Sequence, residues 1–349
     1  MQVFFYKNNQ LVLIGERNEN ALYLLKLKPL PEEIFLKELN KQLDVGLGAD
    51  IRASLITWHE RLGHVNYHTL IKMVKTESTL GLNLTGNLTS PLDNFHRQPS
   101  NPAKNTISTT RIGDLIHTDV WGPSPVTSIG GSKYFILFKD DFTGYLTVYF
   151  MTLKSEAPAL FRLYEAMVLN QTENNIRTLR SDGGGEYFGK EFEDYLAKKG
   201  IRHKSSAPYT PSQNGVSERS NRTILNSARS MLLSSGLTPK LWAEAVSYST
   251  YIRNRVLSRT RSVTPHEAWT GKKPNLSNLR TFGCKTFARV PITKKLDAKS
   301  HEGFYVGRSH TQNAARIFVT ETRKILISND FKVDETVYYN SNKSSQVYT

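Results

Sequence analysis

The chain has 349 residues, 38% of them hydrophobic, enough for about two domains with ordinary cores. No apolar run reaches the roughly 18 residues of a membrane span, and the single cysteine, Cys284, excludes an internal disulfide or a cysteine-pair zinc site. Forty-six Lys and Arg against 31 Asp and Glu leave a net charge of +15, which is common in chains with a polyanionic partner and is also met in a generically basic soluble protein. Charge alone does not separate DNA, RNA and an anionic membrane surface.

Residues 1 to about 30 run in short apolar stretches with turns at Lys7-Asn8-Asn9 and between Glu16 and Asn20, a pattern of strands. The first residues lack the charged start, apolar middle and cleavage site of a signal peptide. Residues 51–76 read as helical with a break near Gly63. From Gly81 to Thr110 the chain is rich in Asn, Ser, Thr and Pro and reads as a linker. A strand is expected over 114–121, and a hairpin of 133–141 and 145–151 around Phe142-Thr143-Gly144. A helix follows over 155–171, with Ser155 as candidate cap and Pro158 in its first turn.

Residues 176–182 read as a strand ending in Asp182, followed by three glycines. A helix over 190–200 is stopped by Gly200, and 201–206 is a short strand. The loop "APYTPSQNG" then leads into a helix of about 215–235 closed by Gly236, and 239–256 is a further amphipathic helix. Beyond residue 280, "TFGCKTFARV", "GFYVGR", "ARIFVT" and "KILISNDF" read as short strands of a small all-β region. There are no internal repeats. The order of elements predicts an α/β protein with a mixed sheet.

Three acids stand out. Asp119 lies in the first strand of that sheet, Asp182 ends the fourth, and Glu218 opens the helix after the loop; 35 residues separate Asp182 from Glu218. Carboxylates from a central strand, a neighbouring strand end and a flanking helix can converge at one sheet edge. Such a set holds two divalent ions for phosphodiester chemistry, since Mg²⁺ takes carboxylate and water oxygens. Plain structural alternatives stand beside this. Asp119 and Asp182 suit turns, Glu218 suits a helix N-terminus with Arg222 as its i,i+4 partner, and Asp140 and Asp141 are rival carboxylates.

The blocks "LIHTDVWGPSPVTSIGGSKYFILFKDDFTGY", "TLRSDGGGEY" and "APYTPSQNGVSERSNRTILNSARSMLL" resemble the integrase catalytic core of copia-type LTR retrotransposons. "LWAEAV", "TPHEAWTGKKPNLSNLRTFGC" and "KLDAKS" resemble the segment after that core, and "WHERLGH" the start of the pre-integrase zinc module. The resemblance runs from about residue 10 to about residue 335. It implies a ribonuclease-H-like fold: a five-stranded mixed sheet with flanking helices, a small N-terminal β/helical module and a small C-terminal all-β region. It divides the chain into a pre-integrase region (1–110), a catalytic core (111–275) and a C-terminal β-rich region (276–349).

The implied activity is polynucleotidyl transfer, in which 3′ ends of element DNA are processed and joined to target DNA. The family's Asp, Asp, Glu pattern falls on Asp119, Asp182 and Glu218, which would bind two Mg²⁺ or Mn²⁺ ions. The ions would activate water for end processing and then the 3′-hydroxyl for strand transfer, with positioning and charge stabilisation doing most of the catalysis. Implied partners are element and target DNA and further copies of the chain, with no membrane; the implied place of action is the nucleus, reached through the cytoplasm. Gln213, Asn214, Arg219, Arg222 and Arg229 are candidate DNA contacts. Twelve Lys or Arg against two acids between Arg253 and Lys299 add a basic stretch suited to phosphate.

The chain departs from the family at the zinc module. His59 and His64 stand where two histidine ligands belong, but the C-x-x-C positions fall near Leu92 and Phe95, with His96 the one further candidate ligand. Zinc takes four ligands, so His59 and His64 are expected to be remnants without structural zinc. Gly183 stands where the family has Asn, and the chain holds neither the protease nor the reverse transcriptase of a whole polyprotein, as a decayed element or a domesticated gene would. The alternative function is therefore a nucleic-acid-binding protein of retrotransposon origin that has lost catalysis. A ribonuclease-H-like nuclease on RNA–DNA hybrids fits the fold but not the Gln-Asn-Gly loop or the downstream blocks.

Overall fold

The computed structural model describes residues 2–7, 10–17, 23–26, 52–85, 109–181, 189–205, 215–258, 261–289, 300–309 and 312–339. They fall in two units, Met1–Ile51 and Arg52–Thr349. In the first, β1 (Gln2–Lys7), β2 (Gln10–Arg17) and β3 (Tyr23–Lys26) form an antiparallel sheet in that order, with a bulge between Phe5 and Tyr6.

The second unit begins with β4 (Arg52–Ser54), α1 (Leu55–Arg61), α2 (Tyr67–Lys75) and β5 (Asn83–Thr85). The Ser54 hydroxyl caps α1 by accepting from Thr57 N–H, and Asn66 Oδ1 caps α2 by accepting from Thr69 N–H. The expected break falls at Gly63, whose φ of 59° lies in the left-handed region. A side chain there would meet Ser227 Oγ at 2.8 Å, so only glycine lets this turn approach the helix that carries Ser227. Two local expectations change. Residues 52–54 are a strand rather than helix, because they pair in parallel with β5, and for the same reason Asn83–Thr85 is not linker. The rest of the expected linker, 86–108, lies outside the described residues.

The central sheet is built from β6 (Ile116–Trp121), β7 (Tyr134–Asp140) and β8 (Leu146–Met151), then β9 (Thr178–Ser181) and β10 (Arg202–Ser205). Its order is β10-β9-β6-β7-β8: β6, β7 and β8 are antiparallel neighbours, and β9 and β10 join in parallel. Between β8 and β9 lies α3 (Ala157–Thr172), and between β9 and β10 lies α4 (Lys190–Lys199). This is the mixed five-stranded sheet of a ribonuclease-H-like fold. Ser155 is not the cap of α3. It sits inside a 3₁₀ turn, Lys154–Glu156, where the Glu156 carboxylate accepts from the N–H groups of Thr152 and Leu153.

One face of the sheet packs Ile116, Ile136, Phe138 and Leu179 against Phe161 and Tyr164 of α3 and Phe192 and Leu196 of α4, all essentially inaccessible to water. The other face is covered by α5 (Gly215–Ser235) and α6 (Trp242–Arg255); α7 (Pro265–Thr270) follows and sets its Trp269 in the core on the α3 side, where it donates to Gln171. There Trp121, Phe135 and Trp242 pack ring to ring. Gly236, at φ 67°, ends α5 as the sequence predicts.

The C-terminal region is an antiparallel sheet of β11 (Cys284–Arg289), β12 (Ser300–Arg308), β13 (Ala315–Val319), β14 (Lys324–Ser328) and β15 (Phe331–Tyr338), in the order β14-β13-β12-β11-β15. The stretch expected as one strand, 324–331, divides where Ser328 and Asp330 close a turn on each other. Gly307 of β12 lies against the Tyr248 ring of α6 at φ 132°, which seats this sheet on the helix. No helix among the described residues is long and apolar enough to cross a membrane.

Candidate catalytic face

Side chains of a strand alternate between faces, so with Ile116 and Val120 turned to the α3–α4 core, His117, Asp119 and Trp121 turn to the α5–α6 side. Asp119 sits on the middle strand and is partly exposed. Its Oδ2 accepts a 2.7 Å hydrogen bond from Nδ2 of Asn221 on α5. Glu218 stands three residues before Asn221, hence beside it on the same helix, and is itself exposed in the first turn of α5. The helix that carries Glu218 is thus fixed to the carboxylate of Asp119. Glu218 and Arg222 form no ion pair, so the plain i,i+4 pairing is not made. Asp182 lies outside the described residues and follows directly on Ser181, the last residue of β9, the strand beside β6.

The rival acids are committed elsewhere. Asp140 is fully buried; its Oδ1 accepts from the Thr143 N–H at 2.7 Å and hydroxyl at 2.6 Å, and its Oδ2 from Gly113 N–H at 3.0 Å. Burial raises its pKa against those hydrogen bonds. Asp141 bonds to His117 Nε2 and the Thr109 hydroxyl, both at 3.0 Å. Burial pushes the Asp141 carboxyl up, but His117, Thr109 and Lys139 together hold it below the usual range.

Lys139 is the feature that sequence reasoning missed. It lies opposite His117 on β7, facing α5, and its ammonium donates to Ser220 Oγ at 3.3 Å. Burial lowers its pKa, Asp141 opposes that, and Arg261 and Arg219 add to it. A lone lysine inside "YFILFKD" was the available signal. Asn221 was missed too; its signal was an amide one turn past Glu218 on a face otherwise buried.

The basic candidates lie on the outer side of α5, where Arg219, Arg222 and Arg229 are exposed. Spacings of four and eleven residues place Arg222 and Arg229 on the same stripe as Glu218. Gln213 and Asn214 lie outside the described residues.

The histidine pair makes a hydrogen-bonded chain. His59 Nδ1 donates to Val65 O at 2.8 Å, the rings meet through His59 Nε2 and His64 Nδ1 at 3.1 Å, and His64 Nε2 reaches Ser234 Oγ at 3.2 Å. Burial, then His59, lowers the His64 pKa to about 4. Leu92, Phe95 and His96 lie outside the described residues.

Among the described residues no group of three or more His, Cys, Asp or Glu gathers as a metal centre, Asp182 being outside them. The oxygens around Asp119 nevertheless suit a hard cation. Asn221 Oδ1 is buried without a hydrogen-bond partner among the described residues, next to the carboxylate that its own amide group fixes. Carboxylate and amide oxygens with an exposed Glu218 nearby fit Mg²⁺ or Mn²⁺.

Residues 109–211 match the family model of the integrase core domain, and residues 284–347 that of the retroviral polymerase SH3-like domain. The chain is 36% identical over 309 residues to the retrovirus-related Pol polyprotein from transposon TNT 1-94 of Nicotiana tabacum, covering 85% of this chain and 22% of that protein. It is 32% identical over 294 residues to the corresponding polyprotein from transposon RE2 of Arabidopsis thaliana, covering 82% and 20%. The chain therefore spans about a fifth of the length of these relatives. Among solved structures, a chain of the simian T-cell lymphotropic virus intasome in complex with PP2A regulatory subunit B56 gamma aligns at a TM-score of 0.39 and 16% identity, over 69% of this chain and 84% of that one. The HTLV-2 integrase catalytic core domain in complex with magnesium aligns at 0.35 and 17%, over 45% and 96%.

Proposed function

This chain belongs with the integrase region of copia-type retrotransposon Pol polyproteins, and on that premise we propose that it is a polynucleotidyl transferase that processes 3′ ends of element DNA and joins them to target DNA. The observation that carries the proposal is the Asn221–Asp119 hydrogen bond, which fixes the helix of Glu218 to the carboxylate of the middle strand. Asp119, Asp182 and Glu218 are the proposed catalytic residues, and they would hold Mg²⁺ or Mn²⁺, which when bound supplies charge stabilisation to a phosphodiester under attack. Asn221 orients Asp119, and the outer stripe with Arg222 and Arg229 takes DNA phosphates without reading bases. Arg219, Gln213 and Asn214 are further proposed DNA contacts.

In this scheme residues 1–110 are the pre-integrase region, 111–275 the catalytic core and 276–349 the C-terminal β-rich region. Two or more copies act together, on DNA in the nucleus. The test is strand transfer with element-end DNA and Mn²⁺, comparing the parent with Asp182→Asn. Activity in the parent that is lost in the variant is expected. An inactive parent that still binds DNA in a salt-dependent way supports the decayed, nucleic-acid-binding alternative instead.

A further inference from the structure

The edge strand of the central sheet carries a groove unrelated to the catalytic carboxylates. It has a volume of about 890 Å³ and runs along β8 between α3, α6 and the loop after β12. At one end the side chain of Asn254 imitates a strand residue: its Oδ1 accepts from Leu146 N–H and its Nδ2 donates to Leu146 O, both at 2.8 Å. The outer edge of β8 is therefore already paired at Leu146. Strand alternation turns the N–H and C=O of Val148 and Phe150 the same way as those of Leu146. β8 pairs only with β7 among the described strands, and among the described residues none hydrogen-bonds these outward groups.

Charge in the groove is one-sided. Three arginines line it, Arg255, Arg308 and Arg316, against one acid, Glu244. Glu244 is spent on Arg316 through paired hydrogen bonds of 2.6 and 2.7 Å. Arg308 is buried and donates to the Asn313 amide oxygen; Arg255 lies over the Tyr251 ring and donates to Tyr251 O. Neither has a carboxylate partner among the described residues. Burial holds the Arg255 pKa below its usual value; Tyr251 and Tyr145 oppose that and the charge of Arg308 adds to it. Two such guanidinium groups lining one groove without a carboxylate call for an anion.

We propose that the β8 edge is a docking groove for an acidic, extended peptide segment of a partner protein, which adds as a sixth strand along Val148 and Phe150 and sets its carboxylates against Arg255 and Arg308. Beyond the Leu146–Asn254 pairing, the segment from Thr147 to Phe150 is about 10 Å long, room for a strand of about four residues. Main-chain pairing supplies affinity and the arginines supply the choice of acidic side chains. A nucleic-acid strand suits the groove less well. Phosphates only accept hydrogen bonds, so the outward carbonyls of Val148 and Phe150 would be covered without donors.

The test uses the full chain and a labelled octapeptide of alternating Thr and Glu, followed by fluorescence anisotropy. Three controls accompany it: the same peptide with Gln for Glu, the same peptide N-methylated at alternate residues, and a DNA duplex as competitor. The Glu peptide is expected to bind at least about tenfold more tightly than either altered peptide. Arg308→Gln and Val148→Pro, each confirmed as folded by circular dichroism, are expected to weaken it by a similar factor. The peptide-side changes keep the test valid should a variant fail to fold. Equal binding of the Glu and Gln peptides overturns the proposal, and so does indifference to N-methylation, which leaves an anion site without strand addition. Displacement of the peptide by duplex DNA, with loss of DNA binding in Arg308→Gln, assigns the groove to nucleic acid instead. A parent dimer that becomes monomeric on Val148→Pro assigns it to a second copy of the chain; either result overturns the proposal.

Discussion

Asn221 Nδ2 stands 2.7 Å from Asp119 Oδ2, joining residues 102 positions apart in the chain. An amide that holds a carboxylate in place governs its orientation, and removing such a support typically costs about 10–100-fold in metal affinity or activity. Asn221→Ala is expected to lose strand transfer by that factor while stability falls by only about 1–2 kcal/mol. Asn221→Asp sharpens the test, because it sets two carboxylates together. The variant should melt below the parent in chelator and recover more than the parent does when Mn²⁺ is added. Equal Mn²⁺ responses in thermal melts would count against Asp119 as a metal ligand.

Lys139 gives the opposite expectation, a gain in stability. Its amine is buried on the catalytic face with a 3.3 Å bond to Ser220 as its described hydrogen bond, while Asp141 retains His117. Replacing a poorly compensated buried charge by an apolar side chain of similar length is neutral or stabilising, here by about 1 kcal/mol. Lys139→Met should therefore raise the urea midpoint at pH 7. The folded pKa lies below the unfolded value of 10.5, so the unfolded chain binds more protons between the two, and parental stability rises with pH through that window. The variant should lose that rise. A drop of several kcal/mol instead would mean that Asp141 depends on the amine.

The central fold was legible because its signals are local. Alternating apolar strands, Gly200 and Gly236 as helix stops, and the 35-residue spacing to Glu218 all lie in the sequence itself. Less legible were the short elements whose existence depends on a distant partner. β4 and β5 are three residues each and exist through their mutual pairing. Asn221 and Lys139 read as ordinary helix and strand polar residues until the sheet and α5 are brought face to face. The same holds for Asp140 and Asp141: rival catalytic acids by sequence, they are absorbed by Thr143, Gly113, His117 and Thr109.

The histidines set the acid side of the stability profile. Burial lowers the pKa of His64 and of His266 to about 4, from 6.5. Below pH 6.5 the unfolded chain takes up protons that the folded chain refuses, so the stability these rings contribute falls from about pH 6.5 to pH 4 and levels off beneath. The limit is about 1.4 kcal/mol per pH unit for each ring, reduced because both rings are partly exposed. His64→Asn is the variant of choice, since position 64 has φ 63° and Asn tolerates that conformation. Urea midpoints between pH 4 and 7 should show a shallower slope in the variant. An unchanged slope would exclude His64 as a source.

The last prediction concerns the tie between the start of the second unit and its final strand. Arg61 of α1 is 5% exposed and its guanidinium donates to both carboxylate oxygens of Glu335 on β15, at 2.5 to 3.1 Å. Glu335 Oε1 also accepts from the Thr281 N–H at 2.8 Å and hydroxyl at 3.0 Å. Burial raises the Glu335 pKa, but these donors outweigh it and keep the carboxylate ionised. Removing one partner leaves a buried charge uncompensated, so Glu335→Ala should cost about 3–5 kcal/mol. The double variant Arg61→Met with Glu335→Leu removes both charges and should recover most of that loss, leaving the Thr281 donors as the residual cost. Guanidinium denaturation of the single and double variants measures the difference. Equal losses in the two would mean that the pair contributes through packing of the side chains and not through charge.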